Sequence, residues 1–411
     1  MRYCLIGEKL GHSYSAEIHA YNGLDYTLKE IPNTQLHNFF SNNEYDGFNV
    51  TIPYKKEVIQ YLDELDQSAK TSGAVNTVVN VNGKMVGYNT DVSGMRYMIQ
   101  RKGVTLTDKH VVILGSGGTS NTAQTLCRLE KAKEITVVSR KGETNYQNCY
   151  QLKGVDVIIN TTPVGMYPNV FDTPVDLTKF KKLTAVFDCI YNPFTTKLLE
   201  SAKELGLIYS DGLPMLVEQA LLAQDVWSNT THQKTLTEQI ILNIRKQKSN
   251  LVLFGMPASG KSTIGREVAK TLNREFIDLD EYITNSLGKT PSEIITEQGE
   301  KAFREIESQA VKEICKYSSK VISLGGGTVI DPENVTNLSL NSVMVYVNRS
   351  LDKLSTFNRP LSKSVGVENL FNQRKEIYQN AKDIEITNNG EVSSAVKETI
   401  KAYETACNKW C

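Results

Sequence analysis

Net charge is what this sequence lacks first: 46 basic residues are balanced by 46 acidic ones. No bulk field therefore draws the chain to nucleic acid or to an anionic membrane, and neither is expected as a partner. Paired cysteines are missing as well. The seven that occur (Cys4, Cys127, Cys149, Cys189, Cys315, Cys407, Cys411) are odd in number and never spaced C-x-x-C. That excludes a zinc ribbon and reads as reduced thiols in a cytoplasmic protein. No apolar run approaches the ~20 residues of a membrane-spanning helix. The start, MRYCLIGEKLGHS, has too short an apolar stretch for a secretory signal. With 411 residues, the chain is long enough for two or three hydrophobic cores.

What is present is strand-then-helix alternation, the pattern of α/β architecture with parallel sheets. MRYCLIG reads as a strand and SAEIHAYNGL as the helix after it. GFNVTIP is a strand running into a loop, and VNTVVNVNGKMVGYNTD is two strands about an Asn-Gly turn. From Ser93 a second unit begins: KHVVILGSGGTSNTAQTLCRL is a strand, a glycine turn and a helix, followed by the strands EITVVSRK, VDVIINTTP and TAVFDCIY. Helices are expected from Leu213 and from about Thr235. The polar stretch Ile244 to Asn250 reads as a boundary, after which NLVLFG opens another strand–glycine loop–helix unit. The expected divisions are 1–92 (completed by helices at about 213–243), 93–212, a linker at 244–249, and 250–411.

The stretch GMPASGKST fits G-x-x-x-x-G-K-[ST] completely through Gly255, Gly260, Lys261 and Ser262. It lies between an apolar strand and a helix, the context a phosphate-binding loop requires. Backbone N–H groups turn inward around the phosphates, Lys261 places a charge on the β/γ oxygens, and the Ser262 hydroxyl can ligate Mg²⁺. FIDLDEYI puts Asp278 and Asp280 on one face at a strand end. Two carboxylates beside a metal–nucleotide suit one metal-associated role and one acceptor-hydroxyl role. AFREIE spaces Arg304 and Glu307 as a helical pair. In VISLGGGTV, Gly325, Gly326 and Gly327 let a small ligand approach the backbone.

The order G-x-x-x-x-G-K-S-T, D-x-D, F-R-x-x-E, G-G-G, R-P-L, R-x-x-x-Y-x-x-A resembles shikimate kinase over about 249–411. By that resemblance, Arg304 and Arg374 clamp the shikimate carboxylate, while Asp280 and the Gly326–Gly327 backbone take its hydroxyls. Asp280 is the base. Asp278 acts with Ser262 on the metal, and Gly255, Ser259, Gly260, Lys261, Ser262 and Thr263 hold ATP. Arg359 reaches from a lid toward the transferring phosphoryl group. The lid segment SLDKLSTFNRPLSK is short and has no second arginine before Arg359.

In the front half, GFNVTIPYKK offers Thr51 and Lys55, GYNTD offers Asn89 and Asp91, GHSYS offers Ser13 and Ser15, and GAVNTV offers Asn76. Such hydroxyls, amides and one cation suit a small polyhydroxy carboxylate. The turn GSGGTS supplies Gly115, Gly117 and Gly118. The next strand ends in Ser139, Arg140 and Lys141 with no acidic residue for a ribose hydroxyl, so cations favour a 2′-phosphate and NADP over NAD.

The set H-S-x-S, G-F-N-V-T-x-P-x-K, G-A-V-N-T, N-T-D, G-x-G-G, S-R, D-x-x-Y-x-P-x-x-T-x-L-L and G-x-x-M-L-V-x-Q-A resembles shikimate dehydrogenase over about 1–240. The resemblance implies a Rossmann domain behind a substrate domain, and NADPH reducing 3-dehydroshikimate to shikimate. Lys55 and Asp91 match the family's catalytic pair, and Ser13 and Ser15 bind the carboxylate. Thr51, Asn76 and Gln219 take the hydroxyls, and Tyr191 lines the site. Gln219 comes from a late helix that folds back onto the first domain. His12 and His19 are expected to be structural.

Together the halves imply a bifunctional enzyme with NADP(H), ATP and Mg²⁺, free or as a homo-oligomer. The competing readings are a catalytically silent shikimate or quinate sensor on the same folds, and a quinate-preferring dehydrogenase fused to the kinase.

Overall fold

The computed structural model describes residues 1–10, 14–42, 44–354 and 366–410. Two compact units divide the chain, Met1–Ile241 and Leu242–Cys411. Both are layered α/β structures whose sheets carry helices on their faces.

Two sheets make up the first unit. The strands of the first are β1 (Tyr3–Gly7), β2 (Tyr26–Glu30), β3 (Gly47–Val50), β4 (Glu64–Leu65), β5 (Thr77–Val81) and β6 (Lys84–Tyr88). Their order is β2-β1-β3-β5-β6-β4. β1 pairs in parallel with β2 and β3, whereas β5 runs antiparallel to β3 and β6. The Asn-Gly turn is as expected: Asn82 and Gly83, at φ 53° and 85°, supply the two positive φ values of a tight hairpin.

The second sheet is wholly parallel, built from β7 (His110–Leu114), β8 (Glu134–Val138), β9 (Val157–Asn160), β10 (Ala185–Asp188) and β11 (Ile208–Ser210) in the order β11-β10-β9-β7-β8. Alternation along these strands feeds two cores. Val111, Ile113, Val157, Ile159 and Phe187 face Met95, Met98, Ile99 and Leu126, while Val112, Leu114, Ile158 and Val186 face Leu198, Leu199 and Ala202.

The two sheets are tied together by helix Leu213–Ser228. Trp227 near its end donates Nε1–H to the Val78 carbonyl at 2.9 Å and stacks on Tyr3 with ring centroids 4.7 Å apart. Its start packs against helix Asp91–Gln100 so closely that a Cβ at Gly94 would lie 2.6 Å from the Met215 carbonyl oxygen and 3.0 Å from Gln219 Cβ. Only glycine at 94 permits that approach, which brings Asp91 and Gln219 to one place. The late helix therefore does fold back onto the first sheet.

The second unit has one parallel sheet of β12 (Asn250–Phe254), β13 (Phe276–Asp278), β14 (Val321–Ser323), β15 (Ser342–Asn348) and β16 (Ile384–Thr387), in the order β13-β14-β12-β15-β16. In both parallel sheets the glycine loop leaves the strand at which the order reverses, β7 in one and β12 in the other. Open α/β sheets bind ligands beyond the carboxyl end of such a strand.

The polar segment expected as a linker at 244–249 is helical instead. Helix Lys234–Lys248 runs through it and Ser249 follows directly. Ile240, Ile241 and Ile244 are fully buried, and Arg245 with them, its guanidinium 5.9 Å from the Trp410 ring. Lysine, arginine and glutamine are good helix formers; here Lys246, Gln247 and Lys248 keep some exposure while Arg245 turns inward.

Candidate active sites

In the first unit, a cavity of about 600 Å³ opens at the carboxyl ends of both sheets. Ser15, Thr51, Lys55, Asn76, Asp91, Tyr191 and Gln219 all line it. Ser13 and His12 lie outside the described residues. At the centre, Lys55 Nζ donates to Asp91 Oδ2 at 2.6 Å, both side chains being largely buried. Asp91 is the first residue of helix Asp91–Gln100, where the N-terminal end of the macrodipole favours a carboxylate.

Asn76 organises the rest. Its Nδ2 donates to Asp91 Oδ1 and to Thr90 Oγ1, each at 2.9 Å, and reaches Gln219 Oε1 at 3.3 Å. Its Oδ1 accepts the Thr90 N–H at 2.8 Å. Asn89 Oδ1 accepts the Asp91 N–H at 3.1 Å, so Asn89 shapes the turn that presents the aspartate. Both oxygens of Asp91 are thus engaged by groups that fix the carboxylate in position.

His19 is structural, as expected. Fully buried between Tyr26 and Trp227, it bonds Gln224 and Asn49. Burial pushes its pKa down to about 4, so the ring stays neutral at ordinary pH.

The second sheet offers Gly117 and Gly118 at the start of helix Gly118–Leu129. A Cβ at either would meet nothing within 4 Å, so the helix N-terminus stands open to an anion. Gly115, at φ 104°, makes the turn out of β7. Ser139 closes a loop by accepting the Gly142 N–H at 3.3 Å and donating its own to Thr144 at 3.1 Å. Arg140 and Lys141 on that loop are exposed. None of these six residues lines the 600 Å³ cavity, which Thr119 and Met166 border from their side.

In the second unit, one cavity of about 480 Å³ takes in Gly260, Lys261, Ser262, Thr263, Asp278, Asp280, Arg304, Gly326, Gly327 and Arg374. Gly255 and Ser259 are not on its wall. Gly255 instead accepts a bond from Lys261 Nζ at 3.1 Å, and Ser259 is fully buried with its carbonyl held by Asn388 Nδ2 at 2.8 Å. Arg359 lies outside the described residues.

The two aspartates do not share a strand face. Asp278 ends β13 and caps helix Leu279–Leu287 by accepting the N–H groups of Asp280 and Glu281, while Asp280 sits in that helix's first turn. Asp278 Oδ2 also accepts the Ser262 hydroxyl at 2.6 Å, and Ser323 Oγ is 3.2 Å from Ser262 Oγ. Asp280 opens onto the water of the cavity, with protein packed closely behind it. Desolvation first, then the charges of Asp278 and Glu307, raise its pKa to about 6, against the pull of Lys261 and Arg304.

Sequence spacing suggests a surface ion pair for Arg304 and Glu307, but Glu307 is 1% exposed. It accepts Arg304 Nη1 at 2.7 Å on one oxygen and the Thr328 hydroxyl at 2.6 Å on the other. The guanidinium is thereby laid on Gly327, where any Cβ would come within 2.4 Å of Arg304 Nη2. Arg374 Nη1 and the Tyr378 hydroxyl both donate to the Gly326 carbonyl, at 2.8 and 2.6 Å. Sequence reasoning assigned no anchoring role to Glu307; its i+3 spacing from Arg304 was the available signal.

Residues 257–404 match the shikimate kinase family, and residues 5–78 match the shikimate dehydrogenase substrate binding domain. A curated shikimate dehydrogenase (NADP(+)) of Clostridium perfringens is 38% identical over 258 residues, covering 57% of this chain and 95% of that protein. Among solved structures, a chorismate mutase/shikimate 5-dehydrogenase fusion protein from Clostridium acetobutylicum is 37% identical. Its TM-score is 0.56, over 59% of this chain and 96% of that one. A shikimate 5-dehydrogenase from Thermus thermophilus, in complex with NADP(H) and shikimate, is 26% identical with a TM-score of 0.53, over 59% and 99% of the two chains. The chain belongs to the shikimate dehydrogenase family and carries a shikimate kinase domain in its second unit, the make-up of a bifunctional shikimate-pathway enzyme.

Proposed function

We propose that the first unit reduces 3-dehydroshikimate to shikimate at the expense of NADPH, and that the second transfers the γ-phosphoryl group of ATP to the 3-hydroxyl of that product. One observation carries the reading: each unit gathers a cation and a carboxylate in one cavity beside a glycine loop. These are Lys55 with Asp91 at 2.6 Å in one unit, and Lys261 with Asp280 in the other.

NADPH supplies the hydride and MgATP the phosphoryl group. The side chains do the remainder. As the ketone carbon is reduced, negative charge develops on its oxygen; the Lys55 ammonium stabilises that charge and gives it a proton. Asp91 holds the ammonium in place, and Asn76, Thr51 and Gln219 fix the ring hydroxyls. In the second unit, Asp280 takes the proton of the attacking hydroxyl, and Arg304 and Arg374 hold the carboxylate. Ser262 and Asp278 form an all-oxygen set suited to a hard cation such as Mg²⁺, and would hold it.

The open helix N-terminus at Gly117 and Gly118 suits a pyrophosphate, and exposed Arg140 suits a 2′-phosphate. Arg140→Ala is therefore expected to raise the KM for NADPH about tenfold or more, the value of a charge-assisted contact, with little change for NADH. Equal effects on both would remove the 2′-phosphate assignment.

The direct test of the whole reading supplies 3-dehydroshikimate, NADPH, ATP and Mg²⁺ to the purified chain, following absorbance loss and product mass together. Shikimate 3-phosphate formed alongside NADPH oxidation is the expected result. Oxidation that stops at shikimate would refute the second step, and no oxidation at all would refute the first.

A further inference from the structure

Arg349 is a cation that the chemistry above leaves unused. It follows β15 directly, at the carboxyl edge of the second unit's sheet. There it lines the same 480 Å³ cavity as Gly260, Lys261 and Thr263. Its Nη1 lies 3.7 Å from the point a Cβ of Gly260 would occupy. Its Nε is buried without a hydrogen-bond partner, and no salt bridge engages its guanidinium among the described residues. A partly buried guanidinium with an unsatisfied donor is costly by itself. The arrangement becomes favourable when an anion enters beside it.

The cavity tells which anion. Its acceptor end holds Asp280, Arg304 and Arg374, whereas Arg349 stands at the end formed by the glycine loop and the first turn of helix Lys261–Leu272. A loop of this kind cradles the α- and β-phosphates through its backbone N–H groups. Lys261 already serves the loop itself, donating to the Gly255 and Met256 carbonyls. The neighbouring strand end stiffens the wall, since Asn388 after β16 holds the Ser259 carbonyl.

We propose that Arg349 binds the α/β-phosphate portion of the nucleoside triphosphate, as a second cation beside the loop. This rests on the kinase reading of the second unit. The planar fork of arginine offers two parallel N–H donors to a pair of phosphate oxygens, a fixed geometry that the point-like ammonium of lysine lacks.

The test is the affinity of the full-length chain for MgADP, measured by calorimetry, alongside steady-state kinase kinetics. Arg349→Ala is expected to weaken MgADP binding about 10- to 100-fold and to raise the KM for ATP while leaving that for shikimate unchanged. Arg349→Lys, keeping charge without the fork, should fall between. Reductase turnover and the melting temperature without nucleotide serve as folding controls, and the upward shift on adding MgADP should shrink in the alanine variant. MgADP affinity equal to the parent's in both variants would overturn the assignment. A matched rise in both KM values would also overturn it, by showing a general loosening of the cleft. A parent chain that binds no MgADP would defeat the kinase reading itself, and this proposal with it.

Discussion

Lys55→Ala is expected to slow the reduction of 3-dehydroshikimate by about 10²–10⁴-fold, the usual worth of a placed proton donor, while phosphorylation of shikimate by the same chain is unchanged. The fold should survive. Asp91 loses one partner but keeps the Asn76 Nδ2 bond at 2.9 Å and its position at a helix N-terminus, so its charge is not stranded. The loss should fall mainly on kcat, because the ammonium acts on charge that exists only as the ketone is reduced. Asp91→Asn adds a second reading of the pair. It removes the negative charge beside Lys55 while keeping an oxygen and the shape, so it should lower the rate by orienting the lysine less well. Reductase kcat near the parent's in Lys55→Ala would show that the proton comes from elsewhere, and the kinase rate reports whether the chain is intact.

Much of this site is legible in the sequence, for a physical reason. Residues such as Thr51, Lys55, Asn76 and Asp91 sit at the ends of strands and the starts of helices, where local chemistry and local structure coincide. The glycine loops read well because each lies between an apolar strand and a helix. What local pattern does not carry is the closure of the cleft. Gly94 is an ordinary helical glycine until helix Leu213–Ser228 is seen crossing it. Trp227 likewise gains its meaning only from Val78, far away in sequence. Glu307 shows the same limit in the other unit: its spacing from Arg304 fits a solvent-facing helix, but the loop carrying Thr328 covers it. Across 244–248 the charge density has the look of a linker, while Ile240, Ile241 and Ile244 keep helical spacing beneath it. Arg349 has no motif around it. Only the folded sheet places it against Gly260.

Asp280→Asn is expected to lower kinase turnover by about 10²–10⁴-fold, to leave the reductase alone, and to make the chain more heat-stable at pH 7. These outcomes share one cause. Burial and the charges of Asp278 and Glu307 raise the Asp280 pKa to about 6, close to where a general base works best at neutral pH. Below that value the carboxyl carries its proton and cannot accept another, so parent kinase turnover should fall as pH drops through about 6 with the slope of a single proton. The residual rate of the asparagine variant should lack that step. For stability the sign is reversed from the usual carboxylate. Because the folded pKa lies above the ordinary value of 3.8, the folded state binds the proton more tightly, so Asp280's contribution is complete below that ordinary value and is lost as pH rises through about 6. At pH 7 the ionised group strains the cleft, although the water reaching it and the first turn of its helix blunt the effect. Asparagine removes the charge and keeps the shape. Calorimetric unfolding should therefore give a higher midpoint for the variant at pH 7 and nearly equal midpoints at pH 3. A variant less stable at pH 7 would mean that the ionised Asp280 is held by favourable contacts, and its role as a poised base would fall with that result.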